Sequence, residues 1–228
     1  MAGVESFLAG NGFGSRAFYL FVRSLINWFC RLFWRTSVIG AERIPRTGPF
    51  ILAPIHRSNI DTPLACTVTR RRMRYMGKDS LWTRRPVGWT LSALGGFPVS
   101  RGTADREALR RCILVLEAGE PLVLFPEGER KSGPTVQPLF DGAMYIALKA
   151  GVPVIPVGIG GSERAMPKGK KYLRPSKCVV IVGQPMLPPR SEGRTSRSDV
   201  RDFTAALHAE LQILFDTAQD LAGTGSVR

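Results

Sequence analysis

The chain has 228 residues, 44% hydrophobic and 22% charged, which fits a globular protein long enough for one α/β domain with a substantial core. Its formal net charge of +14 attracts polyanions, whether nucleic acid, anionic lipid or a phosphorylated substrate, and does not choose among them. Four widely spaced cysteines and only two histidines argue against a zinc site or a disulfide framework and are typical of a reducing compartment.

The N-terminal region is predicted to contain an amphipathic helix over residues 16–35, RAFYLFVRSLINWFCRLFWR. At about 100° per residue, one side carries Arg16, Arg23, Ser24, Asn27, Arg31 and Arg35, and the other carries Phe18, Phe21, Val22, Leu25, Trp28, Phe29, Leu32 and Phe33. The arginines leave no apolar run of about 20 residues, so a transmembrane span is not expected. A cationic helix with an aromatic apolar face is typical of one that lies in the plane of a membrane surface. The alternative is a helix packed on the core with its arginines in water.

We assign residues 1–36 to an N-terminal membrane-associating segment and residues 37–228 to one globular domain. The first 15 residues lack the basic start and apolar block of a secretory signal.

Short apolar runs alternate with helical patterns after residue 36, which is typical of a mostly parallel sheet. The predicted strands are 37–40, 50–54, 73–77, 96–100, 122–125, 152–159 and 178–183. The predicted helices are 59–71, 105–119, 140–151 and a last helix after residue 198, whose apolar stripe comprises Val200, Phe203, Leu207, Leu211, Leu214, Ala218 and Leu221. The sequence therefore predicts an α/β fold with a central sheet of about seven strands flanked by helices.

The segment HRSNID, residues 56–61, follows the apolar run FILAPI. Residues five apart diverge by about 140° on a helix, so His56 is expected in the loop after the strand, with Ser58 or Asn59 capping the next helix. Asp61 would then lie in the first turn, from which its carboxylate can accept from one imidazole nitrogen and leave the other as a base. The alternative is that Asp61 only complements the helix dipole.

The segment FPEGER, residues 125–130, follows the apolar run PLVLF. Ligands bind at the carboxyl ends of strands in open α/β sheets, and both loops open on that edge if their strands are parallel. Pro126 and Gly128 favour a tight loop that presents side chains and backbone N–H groups. An ordinary polar turn is the alternative.

Four blocks in order, between residues 37 and 185, resemble the glycerolipid acyltransferases, the family that includes 1-acyl-glycerol-3-phosphate acyltransferase. HRSNID is similar to the family's H-x4-D motif, and residues 77–101 are similar to its K-x-x-L, P-x-x-G and G-x-x-x-x-x-R block. FPEGER resembles F-P-E-G-T-R, and VPVIPVGI resembles the apolar V-P-V-x-P-V segment.

The resemblance implies transfer of an acyl group from a CoA or carrier-protein thioester to the free hydroxyl of lysophosphatidic acid, which gives phosphatidic acid. It implies that His56 accepts the hydroxyl proton, and that Asp61 fixes the imidazole tautomer and stabilises the imidazolium. By the same resemblance, the cations of Lys78, Arg101 and Arg130 hold the acceptor phosphate, while Glu127 and Gly128 position its glycerol part. No metal or resident cofactor is expected, because the acyl thioester is a co-substrate.

The sequence departs from the family pattern beside the predicted phosphate site. Glu129 replaces the usual Thr and adds an anion there, Ile55 replaces an Asn before the His, and Ser100 replaces an Asp before the Arg. These departures bear on the identity of the acceptor more than on the reaction.

Three hypotheses follow from the sequence. The first is a lysophosphatidic acid acyltransferase, peripheral on the cytoplasmic face of a membrane, with lysophospholipid and acyl thioester as its partners and no nucleic acid. The second keeps the chemistry and changes the acceptor to glycerol-3-phosphate or another lysolipid. The third is a non-enzymatic nucleic-acid or anionic-lipid binder, which the charge permits although no zinc-finger spacing, RNA-binding aromatic motif or Walker loop is present.

Overall fold

One sheet organises the fold in the computed structural model, which describes residues 12–99, 106–170, 172–189 and 196–225. Over these residues its strands are β1 (Ser37–Ile39), β2 (Ile51–Pro54), β3 (Arg74–Lys78), β4 (Gly96–Val99), β5 (Leu122–Val123), β6 (Val154–Gly160) and β7 (Val179–Val182). Their order is β1-β7-β6-β2-β5-β3-β4, and every neighbouring pair is parallel except β6 with β7. The predicted mostly parallel seven-stranded sheet is confirmed.

Helices cover both faces of this sheet, which explains why its strands read as continuous apolar runs rather than as alternating patterns. All residues of β2, β6 and β7 are buried. The helices are α1 (Phe13–Phe33), α2 (Asp61–Ala65), α3 (Arg85–Ala93), α4 (Arg106–Glu117), α5 (Gly142–Ala150), α6 (Ser162–Ala165) and α7 (Arg197–Ala222). Short 3₁₀ helices lie at Ala41–Arg43, Cys66–Val68 and Asp79–Trp82.

One predicted helix is shorter in the structure, and two helices, α3 and the four-residue α6, were not predicted. The helix predicted over 59–71 is a five-residue α2 followed by a 3₁₀ turn that ends at Val68, because the β-branched residues of TVT disfavour continuation. Helix α3 was not predicted, because Pro86 and Gly88 read as turn residues. Pro86 instead occupies the first turn of the helix, where its missing N–H has no intrahelical partner to lose.

Helix α1 has apolar residues on two sides. Its inner side buries Tyr19 and Cys30, and the Tyr19 hydroxyl donates to the Arg71 carbonyl oxygen at 3.0 Å. Its outer side leaves four large apolar side chains exposed by 55–68%: Phe21, Leu25, Trp28 and Leu32. The helix therefore packs on the domain without covering the apolar face that the sequence predicted for a membrane. In the described part of the chain, no helix has the length and hydropathy needed to cross a bilayer.

Helix α7 crosses the sheet in direct backbone contact with β6. It begins with a capping box in which the Ser196 hydroxyl accepts from the Asp199 N–H at 3.0 Å. A Cβ atom added at Gly160 would lie 2.0 Å from the Ala218 carbonyl oxygen, and one at Gly158 would lie 2.4 Å from that of Leu214. Two glycines in β6 thus allow the close approach of α7. The predicted apolar stripe of α7 is buried except for Leu221, which is exposed, and Phe215 and Ala222 are buried in addition.

We expect Gly160→Ala to lower the free energy of unfolding by about 1–3 kcal/mol or more, because the new methyl group must push α7 away from β6. Urea denaturation measures this change. Gly14→Ala is the matched control, since its Cβ atom meets no atom within 4 Å and the substitution favours the helix that contains it. Equal stability of the two variants would show that α7 does not depend on this contact.

Candidate active site

The loops after β2 and β5 lie side by side at the carboxyl edge of the sheet. These two strands are parallel neighbours, with Leu52 opposite Val123. The loops are hydrogen-bonded to each other directly, since the Lys131 N–H donates to the His56 carbonyl oxygen at 2.8 Å. The parallel pairing that the sequence analysis required is therefore present, and it brings HRSNID and FPEGER together.

The His56 imidazole is held by the carboxylate of Asp61. The Nδ1–Oδ2 distance is 3.1 Å, and Oδ2 also accepts from the backbone N–H groups of Arg57 and Ser58, each at 2.6 Å. Asp61 is the first residue of α2 and is completely buried, so its charge is stabilised by these donors rather than by water. The predicted cap from Ser58 or Asn59 is not formed, because the chain reaches α2 through a turn closed by the Ser58 carbonyl oxygen.

An aromatic ring fixes the other side of the imidazole. The His56 ring stacks on Phe125 with 4.1 Å between the ring centroids, and 18% of the His56 side chain is exposed. Because Asp61 engages Nδ1, the ring nitrogen left for a ligand is Nε2. The imidazole is therefore restrained in position and orientation while it stays accessible.

His56 lies on the wall of a cavity of about 720 Å³. Other walls come from β3, β4, α4, α5 and the loop before α5, and they are largely apolar: Tyr75, Met76, Val99, Ala108, Leu109, Phe140, Ala143 and Ile146. Gly128 and Glu129 also line the cavity. A potential base thus faces a space that suits a long hydrocarbon chain.

Glu127 and Arg57 form a buried ion pair beneath His56. Glu127 Oε1 accepts from Arg57 Nη1 at 2.7 Å and from the backbone N–H of Gln137 at 3.2 Å. Its Oε2 accepts from the backbone N–H of His56 at 2.9 Å. Both side chains are almost inaccessible to solvent, at 0% for Glu127 and 1% for Arg57. The carboxylate lies against protein donors rather than in the cavity, so its predicted contact with the glycerol part of the acceptor stays a prediction.

Arg57 also joins the site to α7 and to the segment after FPEGER. Its Nη2 donates to the Thr135 carbonyl oxygen at 2.9 Å, and its guanidinium carbon lies 5.0 Å from the centroid of the Phe215 ring. The sequence analysis did not identify Arg57 or Phe125. A single arginine among 32 basic residues gives no sign of being buried, and Phe125 is indistinguishable from the other apolar residues of its strand.

Gly128 occupies a position that other residues adopt only with strain. Its φ is +69°, and an added Cβ atom would lie 2.6 Å from the Phe140 ring. The glycine therefore permits both the tight FPEGER turn and the contact with Phe140 at the cavity wall.

The predicted phosphate ligands are only partly visible. Lys78 is the last residue of β3, which neighbours β5, so its backbone lies at the same edge as His56, although its side chain is not among those described. Arg101 lies outside the described residues, two positions beyond the end of β4. Arg130 is half-buried in the FPEGER loop. Its predicted contact with phosphate, like those of Lys78 and Arg101, stays a prediction.

The unusual Glu129 has its own counter-ion. The Lys131 ammonium lies 2.8 Å from Glu129 Oε1, and this contact lowers the pKa of the Glu129 carboxyl. The extra anion predicted beside the phosphate site is therefore paired with a cation two residues away.

The four cysteines and the second histidine do not line the cavity beside His56. Burial raises the pKa of the Cys30, Cys112 and Cys178 thiols to about 12, which leaves them as unreactive thiols near neutral pH. The second histidine, His208, is half-buried, and its Nε2 lies 2.9 Å from the Val136 carbonyl oxygen. This contact joins α7 to the segment that contacts Arg57.

Comparisons with known proteins find a matching family profile, related sequences and a related fold. A family profile described as "Acyltransferase" matches residues 35–160. The crystal structure of the 1-acyl-sn-glycerophosphate (LPA) acyltransferase from Thermotoga maritima superposes with a TM-score of 0.72 at 26% identity, covering 95% of this chain and 85% of that one.

Curated relatives carry the same name in bacteria and plants. A 1-acyl-sn-glycerol-3-phosphate acyltransferase from Bacillus subtilis is 25% identical over 86% of this chain and 96% of its own. A chloroplastic one from Brassica napus is 27% identical over 70% of this chain and 47% of its own. The chain spans about half the length of the plant and algal relatives it matches, between 44% and 59%.

We expect Arg57→Met to lower the free energy of unfolding by about 3–5 kcal/mol, because it leaves the Glu127 carboxylate buried without its cation. Adding Glu127→Gln to this variant should restore part of the loss, because the remaining buried group is then neutral. Chemical denaturation measures both.

Arg110→Met is the matched control for Arg57→Met. It removes a cation whose ion pair with Glu107 has both side chains more than half exposed, so its cost should stay within about 1 kcal/mol. An Arg57 variant as stable as the Arg110 variant would contradict a structural role for the buried pair.

Proposed function

Since the chain belongs to the acyltransferase family, we propose that it transfers a fatty acyl group from an acyl thioester to the free hydroxyl of lysophosphatidic acid, giving phosphatidic acid. The observation that carries this proposal is the His56 imidazole, oriented by Asp61 at the wall of an apolar cavity. The donor is a thioester of CoA or of a carrier protein, and both present the same reacting carbon.

In the proposed reaction, His56 Nε2 accepts the acceptor's hydroxyl proton as the oxygen attacks the thioester carbonyl carbon. Asp61 keeps the proton on Nδ1 and stabilises the positive charge that develops on the ring. The carbon–sulfur bond then breaks, the electron pair leaves with sulfur, and the imidazolium returns the proton to the departing thiolate. Atoms and charges balance without an enzyme-bound acyl intermediate.

The acyl chain is proposed to occupy the apolar part of the cavity, between Met76, Leu109 and Ile146. Removing such a chain from water is favourable by roughly 0.8 kcal/mol for each buried CH₂ group. The thioester carbon is then proposed to lie near His56 and Gly128, which line the same cavity.

The acceptor phosphate is proposed to bind the cations of Lys78, Arg101 and Arg130, because fixed cations suit a phosphate dianion. Gly128 is proposed to position the glycerol part of the acceptor, since it lines the cavity. Glu127 is proposed to be a positioning residue, because its carboxylate accepts hydrogen bonds from the backbone N–H of His56 and from the Arg57 guanidinium.

The outer side of α1 is proposed to seat the protein on the cytoplasmic face of a membrane, as a peripheral protein. Its exposed aromatic and aliphatic side chains suit the boundary between headgroups and acyl chains, while the neighbouring arginines suit anionic headgroups. The free cysteines of the chain fit a reducing compartment on that side of the membrane. This seating would deliver a lipid acceptor to the site.

A panel of acceptors tests the activity directly. With purified protein and one acyl-CoA, we expect transfer to lysophosphatidic acid and little transfer to glycerol-3-phosphate or to lysolipids with other headgroups. Product analysis by mass spectrometry measures each reaction. Transfer to glycerol-3-phosphate but not to its monoacyl form would refute the proposed acceptor.

The same substitution at the two histidines serves as a matched pair in this assay. His56→Gln should lower kcat by about 10²- to 10⁴-fold, because glutamine cannot accept the proton. His208→Gln should leave kcat near the wild-type value, because its amide can still donate to the Val136 carbonyl oxygen. Equal loss in both variants would contradict the assignment of His56 as the base.

A second prediction concerns the outer side of α1. Phe21→Ser with Leu25→Ser should weaken sedimentation with phosphatidylcholine vesicles by about 100-fold or more, because two large side chains contribute roughly 3 kcal/mol or more when buried in lipid. Ile213→Ser on α7 is the control, since Ile213 is equally exposed, at 61%, on another helix. Unchanged sedimentation of the α1 variant would show that this face does not enter the bilayer.

A further inference from the structure

A second large depression lies away from His56. It is an open groove of about 780 Å³ between one side of α1 and residues 67–70 of the opposite wall, and we call it the α1 groove. None of its lining residues lines the cavity beside His56. The proposed reaction therefore leaves its chemistry unexplained.

The α1 groove is cationic. Arg23 and Arg31 come from α1 and Arg70 comes from the opposite wall, while no Asp or Glu is among its lining residues. Arg23 Nε donates to the Thr69 carbonyl oxygen at 2.7 Å, which joins the two walls and fixes the Arg23 side chain. Arg31 and Arg70 are exposed. Guanidinium groups on two walls can donate to several oxygens of one phosphate group, which a single surface cation cannot do as well.

The rim of the groove is apolar and continuous with the proposed membrane-facing side of α1. Leu20, Trp28 and Leu32 line the groove, and each is at least half exposed. Phe21 and Leu25 continue the same exposed side. A ligand that suits both the arginines and this rim carries an anionic group, such as a phosphate, together with hydrocarbon chains.

We propose that the α1 groove binds the headgroup of one anionic phospholipid of the membrane, distinct from the acceptor at His56. The phosphate contacts Arg23, Arg31 and Arg70, while the acyl chains run along Trp28 and Leu32 into the bilayer. This inference rests on the proposed seating of α1 at the membrane. It adds a defined lipid that sets the depth and rotation of the helix.

The first test separates a defined site from general attraction between charges. Arg31→Gln with Arg70→Gln removes two cations of the groove. Arg16→Gln with Arg35→Gln removes two exposed cations on or beside the same helix that do not line it. Sedimentation is measured with vesicles of phosphatidylcholine alone and with added phosphatidic acid. The preference is the ratio of the affinity for the anionic vesicles to the affinity for the phosphatidylcholine vesicles. We expect this ratio to fall at least about tenfold further in the groove variant than in the control variant. Equal losses would overturn the proposal.

The second test uses a soluble lipid and so does not depend on vesicle binding. Dihexanoyl phosphatidic acid, below its critical micelle concentration, should shift the Trp28 indole N–H resonance in the wild-type protein and not in the groove variant. Inorganic phosphate should leave this resonance unmoved, because it lacks the chains that contact the rim. A shift of the same size with inorganic phosphate, or no shift with the lipid, would overturn the proposal.

Failure of the groove is distinguishable from failure of the proposed function. Acyl transfer to lysophosphatidic acid in detergent should be unchanged in the groove variant, because Arg31 and Arg70 lie outside the catalytic cavity. If the wild-type protein ignores phosphatidylcholine vesicles, the seating of α1 is refuted, while the soluble lipid still tests the groove.

Discussion

The buried carboxylate of Glu127 is the constraint on which the candidate site depends. Its two oxygens accept from the backbone N–H groups of His56 and Gln137 and from the Arg57 guanidinium. These bonds join the loops that follow β2 and β5. A charge without solvent requires all of these donors, since an unpaired carboxylate in the interior costs several kcal/mol. The two loops are therefore held together, and on this framework Asp61 and Phe125 orient the imidazole before a substrate arrives. Arg57 extends the arrangement to α7, whose close approach to the sheet depends on Gly158 and Gly160.

Helix α1 connects this rigid site to the proposed membrane surface. Its inner side contacts α2 and α3, and α2 begins with Asp61. Its outer side is apolar, and its arginines lie between the two sides. The helix cannot satisfy its outer side by packing on its own domain, so that side is available to lipid. Fixing the orientation of α1 at a bilayer would also fix the direction in which His56 meets a lipid acceptor.

Several elements could be predicted because local patterns decide them. The strands were found as short apolar runs bounded by turn residues, and α7 as a stripe of period 3.6. The extent of α2 was overestimated, because the β-branched residues Thr67 to Thr69 were included in a helix that they disfavour. The existence of α3 was missed, because Pro86 and Gly88 read locally as turn residues. His56 and Asp61 were identified from spacing and resemblance. Arg57 was missed, because burial of an arginine depends on a carboxylate 70 residues away.

The fold class, the family resemblance and the candidate pairing of His56 with Asp61 could be predicted from the chain alone, because each rests on residues close together in the chain or on ordered motifs. The partners of Glu127, the stacking of Phe125 on the imidazole, and the groove between α1 and residues 67–70 became known only from the folded structure. The physical reason is the same in each case. These contacts join segments that are distant along the chain, and only the strand order and the packing of helices bring them within hydrogen-bonding or van der Waals distance.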